Sequence, residues 1–516
     1  MGRILIVAND VVAERMAGPG IRCLEIGRVL TQLGHIVTLV GVGNTRLATD
    51  LFDVVLHPSP ARFDRLARAQ DVILLEGIAL VRYPSLLSTP VPLVIDLYDP
   101  FPLALLEQEA HQTQAKQHHE SREVRKVLTE LLRAGDFFVC ASEIQRDLWL
   151  GALLESGRIN PSVWAHDNSL RRLIDVVPFG LPGEPPDPAF RDRGLPVGNL
   201  SPDDVVLVWG GGIYNWFDPL TLIEAISDAA RTCPTVKLIF MSTGHPNPTI
   251  PERMWMPARA QQLSDELRLT DSHVFFNREW VPYRHRARWL MAADCGVSTH
   301  FDHAETRFAF RTRMLDYLWA GLPIICTEGD YFADMVAQQG LGWVVPPRDR
   351  EALARAIVEM ASDPERRREM QDRVQLAASH LTWDKATIPL VRFVSQPSMA
   401  PDHPRHRWIH QRPPSATELR IREASRLLQR AIYELGHSGF NDTLKRARRW
   451  WAQRASIRTS ADGAGDDGRS DPPLIEDNTH SASREQAAWP VQPRAVRPRT
   501  DGPLHNEMDD HARGLK

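Results

Sequence analysis

Short apolar runs alternate with longer stretches of helical period through most of the chain. Over the first 180 residues the runs are RILIVAND, HIVTLVGVG, DVILLEGI, PLVIDLYDP, DFFVCASE and IDVVPFG, with a helical pattern from about Arg22 to Gln32. Continuous apolar runs suit strands buried on both faces, and helical connections between them suit crossovers of a parallel sheet. Residues 1–182 are therefore predicted to form a Rossmann-like α/β half. The Pro/Gly-rich stretch GLPGEPPDPAFRDRGLPVGNLSPDD then breaks the pattern, and 183–203 read as a linker. Alternation resumes with VVLVWGGGI, VKLIFMST, HVFFNRE, CGVSTH, PIICTEG and GWVVP, which predicts a second Rossmann-like half over 204–396.

Past Pro397 the character changes. Residues 415–436 keep a helical period, and LKRARRWWAQRASIR (444–458) has no acidic residue, so 397–458 is predicted as a helical basic extension. If helical, 444–458 offers arginines to anionic headgroups and Trp450 and Trp451 to the membrane boundary, although a solvated or protein-packed helix fits as well. From Thr459 onward Ser, Asp, Gly, Pro, Arg and His dominate, and 459–516 is predicted to be disordered.

Composition narrows the classes. A chain of 516 residues exceeds the usual size of one core, consistent with two compact halves. With 61 basic and 65 acidic side chains the net charge is −4, which gives no global field for nucleic acid, and none is expected as a partner. Cys23, Cys140, Cys233, Cys295 and Cys326 lie far apart without a C-x-x-C pair. They read as buried thiols in a reducing compartment. No apolar run is long enough to span a bilayer, so a cytoplasmic protein is expected, peripheral at the inner face if 444–458 acts as an interfacial helix.

Candidate chemistry gathers at three places. Gly18 and Gly20 open a helix just past the first strand, where free backbone N–H groups can approach a phosphate or sugar; an ordinary strand-to-helix turn explains them equally well. Gly210, Gly211 and Gly212 make the corresponding turn in the second half, removing every Cβ where a phosphate could lie against the backbone. A helix expected from about Thr312 carries Leu315, Leu318, Trp319 and Leu322 as its buried stripe. Arg311 and Arg313 stand at its start, suited to a diphosphate, and Asp316 could accept from a ribose diol. The plainer reading is an Arg313–Asp316 salt bridge and solvated arginines. His118 and His119 lie on a long polar helix without a Glu-x-x-His partner, and no metal site is assigned.

The order of DVVPFGLP, GGGIYNWFDPLTLIEAI, VFFNREWVPYRHRARWLMAADCGVSTH, MLDYLWAGLPIICTEGDYFADMVAQQGLGWVVPPRDREALARAI and LTWDKA resembles family-four (group 1) glycosyltransferases of the GT-B fold, over about residues 3 to 395. The resemblance implies two Rossmann-like domains around a cleft, with a nucleoside diphosphate sugar as co-substrate on the second and a glycan or lipid-linked acceptor on the first. It also implies retention of configuration, with no metal or other cofactor. Gly321 and Pro323 hold the family's Gly-x-Pro positions, so Asp316 takes the place of its second glutamate, the ribose contact. The first glutamate falls on Phe308; either Glu305 serves the sugar through a local insertion or that contact is gone. Asp99 matches the aspartate of a His-Asp pair near the transferred sugar, with Tyr98 at the histidine. The family's basic residues around the second glycine loop are missing, and Arg311 and Arg313 are the candidates to replace them. These departures also leave a non-catalytic sugar-binding protein on the same fold as an alternative.

Overall fold

A computed structural model describes residues 1–42, 49, 51–193, 200–247 and 254–403. All described residues fall in one contact unit, Met1–Ser415; the other, Ala416–Lys516, holds the expected basic stretch 444–458 and tail 459–516, which lie outside the described residues.

The first half is a parallel sheet of seven strands: β1 (Arg3–Val7), β2 (Ile36–Gly41), β3 (Asp53–Leu56), β4 (Val72–Glu76), β5 (Leu93–Asp96), β6 (Phe137–Cys140) and β7 (Ile174–Val176). Their order is β3-β2-β1-β4-β5-β6-β7. The second half has six: β8 (Val205–Trp209), β9 (Val236–Phe240), β10 (Val274–Phe276), β11 (Cys295–Ser298), β12 (Ile324–Thr327) and β13 (Gly342–Val345), in the order β10-β9-β8-β11-β12-β13. Order reverses beside β1 and β8, so the carboxyl ends of β1 and β4 in one half, and of β8 and β11 in the other, form the crevices where ligands of open α/β sheets sit. Ser142 and Asp218 cap the helices Glu143–Glu155 and Pro219–Thr232, accepting from the N–H of Gln145 (3.2 Å) and Thr221 (3.0 Å).

Every apolar run named in the sequence became a strand. The strand β3 was not foreseen, because its burial along Asp53–Leu56 is exposed, half-buried, half-buried, exposed, which gives no continuous apolar run. The first helix begins at Gly18 rather than near Arg22, with Pro19 in its first turn.

The domain boundary near 396 also needs correction. The chain returns to the first half after residue 380: Leu181 and Thr382 pair as an isolated parallel bridge, and Phe393 stacks on Phe137 at 4.7 Å between centroids. Asp402 then accepts two hydrogen bonds from the buried Arg158 (3.0 and 3.1 Å), and His403 lies 2.9 Å from Asp136. Residues 397–403 thus belong to the folded body. A single apolar cluster runs from Ile4 and Cys23 through Phe179 and Trp383 to Met314 and Val374, joining the halves.

Candidate functional site

The turn after β8 is built for close approach. Gly211 has φ 71°, which glycine adopts without strain, and a Cβ on Gly212 would meet the Trp280 ring at 3.1 Å and Tyr214 at 3.2 Å. The Gly210 N–H donates to the Tyr317 hydroxyl (2.8 Å), which donates to the Val297 carbonyl (2.8 Å). Those bonds fix the helix Thr312–Trp319 against the ends of β8 and β11.

Arg313, on the first turn of that helix, is buried, at 7% exposure. Its guanidinium lies against both the Trp209 and Phe217 rings (4.4 and 4.0 Å), and one terminal nitrogen donates to the Gly212 carbonyl at 2.9 Å. The other, Nη1, is buried without a hydrogen bond, and no carboxylate pairs with it among the described residues. Burial without a counter-ion lowers its pKa to about 10. The expected alternative, a salt bridge to Asp316, does not form. Asp316 instead accepts from Arg286 Nε (3.0 Å), whose guanidinium is held between Tyr283 (3.7 Å) and Trp319 (4.3 Å). Burial raises the Asp316 pKa, and this pair opposes the rise.

Two helix starts meet beside Arg313. Neither Gly18–Gln32 nor Thr312–Trp319 has a side-chain cap, and a Cβ on Gly18 would lie 3.7 Å from Thr312 Oγ1. Each start presents N–H groups without intrahelical acceptors and the positive end of its dipole. Gly20 has a different reason: a Cβ there would stand 2.2 Å from the Val11 carbonyl oxygen.

Arg311 was expected to stand in solvent awaiting a diphosphate. It is 5% exposed and already engaged, its two terminal nitrogens bonding both oxygens of Glu305 at 3.0 and 2.7 Å. A short helix, Ala304–Phe308, carries Glu305 to this position. Asp330 lies 4.0 Å from Arg311 Nε and 3.4 Å from His300 Nε2; both ring nitrogens of His300 are buried without hydrogen bonds. From the first half, Asp99, exposed at the surface, lies close enough to this cluster to feel the charges of Glu305 and Arg311. Desolvation by the protein around it, then the charge of Glu305, raises its pKa to about 7 against the pull of Arg311. Gln145 ties the halves here, donating to the carbonyls of Tyr98 (2.7 Å) and Phe308 (2.8 Å).

The arrangement thus gathers Gly18, Gly211, Gly212 and Arg313 at one locus and Asp99, Glu305 and Arg311 at another, while Gly20 shapes its own turn. Sequence reasoning missed Arg286, whose surroundings (YRHRARW) hold three arginines with nothing to single one out. It also missed Glu76, an acid closing the apolar strand β4, and that position is itself a signal. Glu76 is buried; Oε2 accepts from the Asn9 N–H at 3.0 Å while Oε1 has no partner. Burial raises its pKa to about 8, opposed by that bond and assisted by Asp96 and Asp10. Trp280 and Tyr283 are half-buried, and Tyr283 packs against the apolar cluster that joins the halves. They bond across the halves, to the Met16 carbonyl (3.0 Å) and to Glu25 (3.1 Å).

Residues 204–363 match the model of the family described as glycosyl transferases group 1. That stretch, most of the second half, is similar to group 1 glycosyltransferases. A search among curated proteins gave no match. Solved structures similar to this chain include sucrose-phosphate synthase from Thermosynechococcus elongatus, at 17% identity and TM-score 0.54, over 77% of this chain and 99% of that one. Anabaena Alr3699/HepE in complex with UDP and glucose has 15% identity and TM-score 0.53, over 77% of this chain and 100% of that one. WaaG, a glycosyltransferase involved in lipopolysaccharide biosynthesis, has 14% identity and TM-score 0.50 over the same shares. At these identities the likeness carries the GT-B fold. Among the described residues no helix is long and apolar enough to cross a membrane, and no group of three or more His, Cys, Asp or Glu could hold a metal ion.

Proposed function

We propose that this protein is a glycosyltransferase that takes its sugar from a nucleoside diphosphate donor, passes it to a glycan or lipid-linked acceptor with retention of configuration, and needs no metal. The observation that carries the reading is Arg313: a buried guanidinium without a counter-ion, beside a glycine turn and two uncapped helix starts. A diphosphate supplies the missing negative charge, and free N–H groups at Gly18 and after Arg311 hold its oxygens. The same positive groups stabilise the diphosphate as it leaves. Gly211 and Gly212 allow the donor to lie against the backbone, and the free Asp316 oxygen accepts from the ribose. Asp99 and Glu305 face the transferred sugar, and Arg311, committed to Glu305, orients that carboxylate rather than the diphosphate. HepE, a neighbour in fold, is described with UDP and glucose, ligands of the class this site suits.

Calorimetric titration of wild type and Arg313→Met with several nucleoside diphosphates tests the reading, alongside release of nucleoside diphosphate from candidate donor sugars. Loss of a charge-assisted bond to the diphosphate should weaken binding by about 1–3 kcal/mol. Methionine keeps packing against Trp209 and Phe217 and removes an uncompensated buried charge, so stability should match or exceed wild type. Unchanged nucleotide affinity would remove the basis of the proposal.

A further inference from the structure

Glu76 ends β4, where the pairing of Leu75 with Val7 sets it beside the turn that carries Asn9 and Asp10, in the ligand crevice of the first half. The diphosphate and the transferred sugar draw on neither acid. Both are buried, Glu76 at 4% and Asp10 at 8% exposure. On Glu76, Oε2 takes the Asn9 N–H (3.0 Å) and the Cys23 thiol (3.5 Å), while Oε1 has no partner. The other titratable groups facing Glu76 are Asp10 from the turn after β1, Arg22 and Cys23 from the helix Gly18–Gln32, and Asp96 and Tyr98 from the end of β5 and the turn beyond it. Arg22 is spent on both oxygens of Asp96 and on the Val177 and Pro178 carbonyls. Without a cation of its own, Glu76 keeps its proton at neutral pH. Because Oε2 accepts, the proton belongs on Oε1, which becomes a buried O–H donor with no acceptor among the described residues. On Asp10 the Val11 N–H (2.8 Å) and the Asn247 side chain (3.0 Å) both fall on Oδ1, which leaves Oδ2 to accept. A donor beside an acceptor suits a hydroxyl, which is both, and the gathered acids repel a phosphate.

Two links tie this pair to the transfer locus. The charge of Asp10 reaches His245 and Tyr214 in the second half, and Tyr214 lies against Gly212. Tyr98 stands within reach of the charges of both Glu76 and Asp99. We infer that Glu76 and Asp10 form a subsite for adjacent hydroxyls of a neutral acceptor sugar, Glu76 donating and Asp10 accepting, so that the acceptor is an unphosphorylated glycan end rather than a sugar phosphate. The inference rests on the transferase reading for calling that sugar an acceptor, and on the crevice alone for its chemistry.

Calorimetric titration of the full-length chain with methyl hexosides and with the corresponding hexose 6-phosphates, with and without a nucleoside diphosphate, is the test. Wild type should bind at least one neutral hexoside about tenfold or more tightly than its 6-phosphate, and Glu76→Leu should weaken that binding roughly tenfold at pH 7 through the lost buried hydrogen bond. Glu76→Gln offers an amide N–H in place of the acid O–H and should bind within a few-fold of wild type. The pH profile separates contact from mere support of the fold. Wild-type affinity should hold up to about pH 8 and then fall about tenfold per unit as the donor proton is lost, whereas Glu76→Gln, which cannot ionise, should show no fall. Asp10→Asn removes a charge that helps to hold the proton on Glu76, so its fall should begin at lower pH. Tighter binding of the 6-phosphates, no binding of any neutral hexoside, or parallel pH profiles for wild type and Glu76→Gln would overturn the inference. Failure of the same protein to release nucleoside diphosphate from any donor sugar would sink the transferase reading and leave the sugar-binding result standing.

Discussion

At the scale of single residues, two neighbouring arginines on the same helix start have opposite meanings. Arg311 is neutralised by Glu305, so Arg311→Ala leaves a carboxylate buried without its partner and should cost about 3–5 kcal/mol in denaturant unfolding. Replacing both by apolar residues of similar volume should recover most of that loss; a double variant as unstable as the single would mean that the pair is not the cause. Arg313 has no such partner, and its removal should be felt in ligand affinity instead. Glu76 gives a pH signature. Its folded pKa of about 8 lies above the unfolded value near 4.5, so the folded protein holds the proton more tightly. Its contribution is fully present below about pH 4.5 and is lost as pH rises towards 8. Glu76→Gln keeps an acceptor for the Asn9 N–H and cannot ionise. Thermal melts of this variant should decline less between pH 5 and 8 than those of wild type, and parallel profiles would refute the assignment.

At the scale of elements, the sequence disclosed strands better than contacts. Twelve apolar runs became strands because parallel strands covered on both faces need uninterrupted apolar stretches, while β3, partly exposed at its edge, left no such mark. Gly18 and Gly20 looked alike in sequence, since one residue separates them. Their surroundings divide them: Gly20 meets the Val11 backbone, whereas Gly18 faces the Thr312 side chain at ordinary contact distance. Gly20→Ala should therefore destabilise the fold by several kcal/mol, on the order of an overpacked core position. Gly18→Ala should fold normally, and any defect should be in nucleotide binding. Equal melting temperatures for the two variants would contradict this account. The Arg313 and Asp316 positions were legible from the helix pattern, but their partners were not, because Gly212 and Arg286 reach them from 101 and 30 residues away.

At the scale of the whole molecule, the two-half plan was readable from the interrupted alternation, but the return of the chain to the first half was not. Its anchor, Asp402, sits in a Pro- and His-rich stretch without apolar period, and its partner Arg158 is 244 residues away. Both side chains are almost wholly buried, so Asp402→Ala should cost about 3–5 kcal/mol, measured by denaturant unfolding; a loss under 1 kcal/mol would show that the return segment is only loosely held. The bridge between Leu181 and Thr382 sets how the halves can part. Outgoing and returning chain run side by side there, with Leu181 N–H on the Leu381 carbonyl (2.7 Å) and Trp383 N–H on that of Leu181 (3.1 Å). Gly180 lets the two backbones touch, since a Cβ there would fall 2.4 Å from Trp383 Cα. A body held by one strand can swivel, but one held by two laced strands turns like a leaf on its pin. If the halves part to admit a donor, that opening should retrace one arc, and closing should return Gly18 to Thr312 in the same register.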